Sequence, residues 1–502
     1  MMYDELIKAI TTLGSPKVLV VGDFMLDVYI YGDALRISPE APVPVLKIKR
    51  TEYNSGGAGS VAVNLSDLGA VPYCIGVIGD DENGIILKEA LVKAGADVSG
   101  LFVVMGRPTI TKQRLIGLAQ HRHQQQLFRM DREVTEPLNA QQYQDILSTY
   151  KTKLTDADIV CLEDYNKGFL NDFLSQEMIR LAKKAGKKIL VDPPFTNDYS
   201  KYTGATLITP NRQEASTVVG FDIDDAVSAA RAAEELVSKF KLEAVVITLD
   251  KEGAYLRAGQ IRQMIPTRVR SVYDVTGAGD VVLATLAASL AGGCDYRTAV
   301  QLSNIAGGIE VGKFGAVSVT VEEILNETIS QKHGKDGKVH MVNSLKNKLG
   351  WHRRQKQVIV FTNGCFDIIH TGHIEFLKFC KSQGDVLVVG LNSDSSVRQI
   401  KGSERPINNQ YDRAAVLAAF ETVDYVTFFD EPDPLRLIKE VEPDVLVKGQ
   451  DWAQKGVVGR EFVESNGGKV VLAPIVEGKS TTATIEKMKS VGNSELEYEG
   501  SR

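Results

Sequence analysis

Short apolar runs bounded by turn residues recur along the first three-fifths of the chain. KVLVVGD (17–23), DADIVCLED (156–164), KKILVDP (187–193), ATLITPN (205–211) and AVVITLD (244–250) each read as a buried strand. Amphipathic stretches such as SQEMIRLAKKAGKK (175–188) lie between them. Val- and Ile-rich strands separated by helices predict a mainly parallel sheet covered on both faces, an α/β fold. The region around 25–50 differs: DVYIYGDALRISPEAPVPVLKIKRTEY alternates apolar and polar positions and carries several prolines. It predicts a small exposed antiparallel sheet, either a lid over a site or an edge hairpin. A polar stretch near 329–346 reads as a linker or a helix-flanked connection, and the strand pattern then restarts with QVIVFTNGCFD (357–367), GDVLVVGLNSD (384–394) and DVLVKGQD (444–451). The expected organisation is a first domain over 1–328, a linker over 329–346 and a second α/β domain over 347–502.

Composition narrows the partners. At 502 residues the chain exceeds one ordinary domain, and 43% hydrophobic with 24% charged residues is globular usage. A net charge of −6 argues against nucleic acid as the main partner. Five scattered cysteines without a C-x-x-C pair form neither a disulfide framework nor a zinc knuckle. The N-terminus lacks the basic start and apolar run of a signal peptide, and runs such as VLVVG are far short of a membrane span. A cytoplasmic enzyme without membrane attachment is expected.

The first chemical signal is DVTGAGD, residues 274–280. Gly277, Ala278 and Gly279 precede the helical run VVLATLAASLAGG, so backbone N–H groups at the helix start stay open to an anion. Asp280 stands where a base could take a proton from a hydroxyl during phosphoryl transfer. A tight turn with a helix cap is the plainer alternative. SGGAGSVAVNLSDLGA (55–70) is a Gly-rich turn entering a helix, and ITPNRQEA (208–215) sets Asn211 and Glu214 at N-x-x-E spacing after a strand.

With VVGDFMLD (20–27), the GG pair at 56–57, TPNRQE (209–214) and DVTGAGD, residues 1–325 resemble the ribokinase-like (PfkB) carbohydrate kinases. The resemblance implies a three-layer domain with a small β lid. It makes Asp280 the catalytic base and Gly277, Ala278 and Gly279 the anion hole. Asn211 and Glu214 would organise the phosphates of ATP and their Mg²⁺, which arrives with ATP near Glu214 without a direct protein ligand. Asp23, Asp27, Gly56, Gly57 and Asn64 fall on the sugar side. EDYNKGFL (163–170), VDPP (191–194) and QQLFRMDRE (125–133) point within the family to heptose 7-phosphate kinases. Lys167, Arg114 and Arg129 are then cations for an anionic sugar, although each is by itself an ordinary surface charge. The chain departs from that subgroup at Ser60, at Pro194 and at His123-Gln124-Gln125-Gln126.

FTNGCFDIIHTGHIEFLK (361–378) carries the second signal. A strand ends at Phe361-Thr362, and His370 and His373, three apart, open a helix on one face. Two imidazoles at a helix N-terminus suit charge developing on an α-phosphate. A metal site with Asp367 and a purely structural histidine pair are the competing readings. Residues 357–490 resemble the HxGH nucleotidyltransferases of the cytidylyltransferase-like group, a Rossmann-like fold. By that resemblance His370, His373 and Lys448 act on the triphosphate, and Thr362, Asp367, Arg413, Ser480, Thr481 and Thr482 contact the nucleotide.

The order of the two halves resembles one bifunctional family, heptose 7-phosphate kinase joined to heptose 1-phosphate adenylyltransferase. It implies ATP-dependent phosphorylation at O1 to a 1,7-bisphosphate, and adenylyl transfer from ATP to heptose 1-phosphate giving ADP-heptose and pyrophosphate. It further implies a separate bisphosphate phosphatase between the steps and a homodimer through the kinase domain. The rival readings are another sugar kinase fused to a cytidylyltransferase, and a non-catalytic sugar-phosphate sensor.

Overall fold

A computed structural model describes residues 2–118, 125–267, 277–313, 317–332, 338–340, 342–454 and 456–474. The chain divides into two compact units, Met1–Leu325 and Asn326–Arg502.

In the first unit the strands are β1 (Lys17–Gly22), β2 (Phe24–Ile37), β3 (Pro44–Gly57), β4 (Val71–Gly79), β5 (Asp97–Val104), β6 (Ile110–Gly117), β7 (Gln125–Arg132), β8 (Ile159–Glu163), β9 (Lys188–Asp192), β10 (Leu207–Ile208), β11 (Ala244–Thr248), β12 (Ala254–Ala258) and β13 (Ile261–Ile265). Nine of them form one sheet in the order β13-β12-β11-β10-β9-β8-β1-β4-β5. It is parallel except at the β11–β12 and β12–β13 pairs. Side chains alternate across each strand, so β1 sends Val18 and Val20 into one core cluster and Leu19 and Val21 into another on the opposite face. The helix Ala278–Ala291 belongs to the first cluster and is buried almost all round. That is why its sequence, AGDVVLATLAASLA, shows no polar face.

The region at 25–50 forms the antiparallel pair that the alternation predicted, but within a larger mixed sheet. β2 and β3 pair antiparallel, but β2 also pairs in parallel with β6, which pairs antiparallel with β7. The result is a four-stranded mixed sheet, β3-β2-β6-β7. Its inner strand partner comes from a distant part of the chain, which local alternation does not register.

The polar stretch at 329–346 is flanked by helices Val321–Lys332 and Val342–Arg354. Between them Lys338 and His340 exchange backbone hydrogen bonds with Val426, so this piece is built into the second unit. That unit carries an all-parallel sheet of β14 (Ile359–Gly364), β15 (Val386–Asn392), β16 (Tyr425–Phe429), β17 (Val445–Gly449) and β18 (Lys469–Ala473). The order β16-β15-β14-β17-β18 reverses direction between β14 and β17. In such sheets ligands bind beyond the carboxyl ends of the strands at that switch point.

Among the described residues no helix is long and apolar enough to cross a membrane.

Candidate functional site

At the carboxyl end of the large sheet, acids follow apolar strands: Asp23 after β1, Glu163 closing β8 and Asp192 closing β9. Asp280 meets them from the first turn of the helix Ala278–Ala291. Carboxylate oxygens of Glu163, Asp192 and Asp280 lie within 4.8 Å of one another. Burial is the main reason their carboxyls hold protons more tightly than usual, and mutual repulsion adds to it. Asp280 is pushed up to about 6 by burial, although hydrogen bonds from Ser60 and Tyr165 and the charge of Lys112 pull the other way. Asp23 is pushed up to about 7 by burial and by Asp164, while its Oδ2 accepts backbone N–H bonds from Tyr165 (2.9 Å) and Lys167 (3.1 Å).

Gly277, at φ 98°, caps the Asp280 helix, and its carbonyl receives the N–H of Val281. The N–H groups of Ala278, Gly279 and Asp280 belong to the first helical turn, which has no intrahelical acceptor for them. Gly279 lies against Asp192, where a Cβ would stand 3.2 Å from its Oδ2. Close approach also requires Gly56, since a Cβ there would stand 2.3 Å from Oδ2 of Asp27.

Asp27 and Arg114 form a buried ion pair at 2.5 Å. Arg129 pairs with Asp131 at 2.5 Å and Lys167 with Glu133 at 2.7 Å, so each cation expected to meet the sugar has an acid of its own. Lys112, not singled out in the sequence, stands 4.5 Å over the Tyr165 ring and feels both Asp27 and Asp280. Burial lowers its ammonium below the usual lysine value. Tyr165 was also missed, and its hydroxyl donates to Oδ1 of Asp280 at 3.1 Å. The usable signal was a polar triplet, Glu163-Asp164-Tyr165, where the apolar run of β8 ends.

Three expected residues have structural partners. Asn64 donates to the carbonyl of Ser60 (3.0 Å) and accepts from the N–H of Val319 (3.1 Å), tying two backbones together. Asn211 and Glu214 form a capping box: Oδ1 of Asn211 accepts from the Glu214 N–H (3.0 Å) and Oε2 of Glu214 accepts from the Asn211 N–H (2.8 Å). Glu214 still faces Asp192 closely enough to raise its pKa. Asn211→Ala is expected to cost about 1 kcal/mol of unfolding free energy, read from urea denaturation.

In the second unit, β14 ends near the switch point and leads to the helix Thr371–Lys381, with His370 as its N-cap. The rings of His370 and His373 lie 4.0 Å apart. Nδ1 of His373 accepts the backbone N–H of His370 at 3.3 Å, so the proton of the neutral ring sits on Nε2. Burial, then the neighbouring His370, lowers His373 to about 4, and the ring is neutral at physiological pH. Lys448 stands on β17 across the switch point, and its Nζ donates to the carbonyl of Asn363 on β14 at 3.2 Å. Thr362 is buried within β14.

Asp367 and Arg413 are tied to the surrounding chain. Both oxygens of Asp367 are engaged by the 405–408 loop: Oδ2 by Arg405 at 2.5 Å, Oδ1 by the N–H groups of Ile407 (2.8 Å) and Asn408 (3.1 Å). Among the described residues Asp367, His370 and His373 do not come together as a metal-ligand set. Buried Arg413 donates to the carbonyls of Asn408 and Cys365 and to Asp394. Ser480, Thr481 and Thr482 lie outside the described residues.

These features define a ribokinase-fold sugar kinase followed by a cytidylyltransferase-like transferase. The profile of the pfkB family carbohydrate kinases matches residues 15–323, and that of the cytidylyltransferase-like family matches 361–481. The chain is 45% identical over 472 residues to the bifunctional protein HldE of Geobacter metallireducens, covering 94% of this chain and 95% of the relative. It is 43% identical over 479 residues to that of Helicobacter hepaticus, covering 95% and 97%. Phosphofructokinase-2 of Escherichia coli shares the fold of the first unit, with a TM-score of 0.51 at 18% identity over 62% of this chain and 98% of that one. The chain belongs to the family of bifunctional HldE proteins.

Proposed function

We propose that the first unit phosphorylates heptose 7-phosphate at O1 and that the second joins AMP to heptose 1-phosphate. In the kinase step the anomeric oxygen attacks the γ-phosphorus of ATP, its proton passes to Asp280, and the bond to ADP breaks. The open amides of Ala278 and Gly279 face the charge of the transferred group. Asp192 and Glu214, which face each other at this edge, would hold the Mg²⁺ of ATP, and its charge would offset that of the phosphates. In the transfer step the sugar 1-phosphate oxygen attacks the α-phosphorus, and pyrophosphate leaves. Nε2–H of His373, with His370 and Lys448, then donates to the phosphate oxygens.

The observation that carries this reading is a buried carboxylate at the mouth of an anion-open helix, on a chain that resembles HldE proteins along nearly its whole length. That likeness also favours it over a cytidylyltransferase fusion or a sensor. Mass spectrometry of the products from a panel of sugar phosphates and nucleotides tests it. The two matching families are a carbohydrate kinase and a cytidylyltransferase-like transferase, and neither chemistry removes the 7-phosphate. ADP-heptose is therefore expected from heptose 7-phosphate only when a phosphatase is added, and efficient formation without one overturns the scheme.

Ile37, Ile48 and Phe128 expose apolar side chains on the four-stranded sheet. We read them as covered in a homodimer. Sedimentation velocity is expected to show a dimer that Phe128→Asp weakens.

A further inference from the structure

A base must present one oxygen to the hydroxyl it deprotonates, yet the terminal torsion of an aspartate is broad and holds no single orientation by itself. Asp280 is surrounded by groups that fix this torsion. The Tyr165 hydroxyl donates to Oδ1 at 3.1 Å, and the side chain of buried Ser60 favours the charged form of the same carboxylate. The two side chains come from different elements, the turn after β8 and the helix Ala58–Asp67.

Tyr165 is itself held. Its N–H is tied to Asp23, the following Asn166 adopts φ 56° and donates its N–H to Asp164 at 2.7 Å, and Lys112 of β6 covers the ring face at 4.5 Å. Burial raises the phenol well above its ordinary value, so the hydroxyl stays a donor throughout the working pH range. The serine is one of the positions at which this chain departs from the heptose-kinase pattern. It supplies a hydroxyl at the point where the base needs a partner.

We infer that Tyr165 and Ser60 are positioning residues of the kinase reaction, whose hydroxyls lock the Asp280 carboxylate in the rotation that aims a free oxygen at the acceptor hydroxyl. The inference rests on Asp280 acting as the base. Lys112 extends it to the four-stranded sheet: because it covers the Tyr165 ring, seating of β6 and orientation of the base are linked.

The test compares Tyr165→Phe, Ser60→Ala, the double variant and Asp280→Asn in the full chain. Kinase kcat and KM for both substrates are measured, with the transferase rate and heat unfolding as checks of folding. Each single variant is expected to lower kcat about 10-fold and the double about 100-fold, with both KM values unchanged, because a misplaced reacting group costs about that much. Unchanged kcat in the double variant beside an inactive Asp280→Asn overturns the positioning roles alone. A rise in KM at constant kcat overturns them too, since it marks the two hydroxyls as substrate binders. An active Asp280→Asn overturns the underlying assignment of the base. Should the phenylalanine variant unfold, Ser60→Ala, a small change at a helix start, decides by the same kcat criterion.

Discussion

Asp280→Asn is expected to abolish kinase turnover, by about 10²–10⁴ in kcat, while stabilising the first unit. The amide keeps the size and the hydroxyl partners of the carboxylate but accepts no proton from the sugar. The gain in stability follows from linkage. Burial moves the Asp280 carboxyl from 3.8 to about 6, so the folded state holds its proton more tightly than the unfolded chain does. Stability from this group is therefore complete below about pH 4 and is lost as pH rises towards 6, leaving a charge buried against Asp27 and the Glu163–Asp192 pair at neutral pH. A shift of this size corresponds to a cost of about 3 kcal/mol. Neighbouring carboxyls exchange protons with it, so a gain of about 1–3 kcal/mol is expected for the asparagine at pH 7, shrinking as pH approaches 4. Urea unfolding at the two pH values measures it. In the unaltered chain the same carboxyl must be ionised to act, so kinase kcat/KM is expected to fall tenfold per pH unit below about 6. The limb belongs to the cluster of Glu163, Asp192 and Asp280, with Lys112 beside it. A flat profile down to pH 5 contradicts the assignment.

The two pockets were legible in the sequence where chemistry and backbone geometry coincide. GAGD before an apolar helix and HTGH after an apolar strand describe helix starts with open amides in local terms, and the structure puts a buried acid at one and paired imidazoles at the other. Residues whose meaning depends on distant partners were not legible. The sequence marks Arg413 as a cation near phosphate but gives no sign of its buried bonds to Asn408, Cys365 and Asp394. N-x-x-E spacing fits a helix cap and a phosphate edge equally, because both place side-chain oxygens at a helix start. Lys112 and Tyr165 meet only because β6 pairs with β2 and the 163–168 turn reaches the same edge. Nothing in either segment alone announces that contact.

His373→Ala is expected to lower the adenylyl-transfer rate about 10²–10³-fold and to leave kinase kcat as it is, since the two pockets lie in separate compact units. The size of the effect comes from the state of the ring. With Nδ1 fixed by the His370 N–H and the ring neutral, Nε2–H is a donor aimed before substrate arrives, with no proton to shed or reorient in the transition state. Alanine leaves that donor position empty. The pH response of this residue has the opposite sense to that of Asp280. Its pKa is lowered to about 4 in the folded state, chiefly by burial, so its contribution is complete above about pH 6.5 and is lost as pH falls through 4, when protonation of Nδ1 breaks its bond to the His370 amide. Transferase activity is therefore expected to persist at pH 5.5, where the kinase is already falling. Parallel assays of both activities across pH 4.5–8 on one preparation measure the separation. A transferase limb near the ordinary imidazole value would mean that His373 works as a cation, and the neutral-donor mechanism would have to be given up.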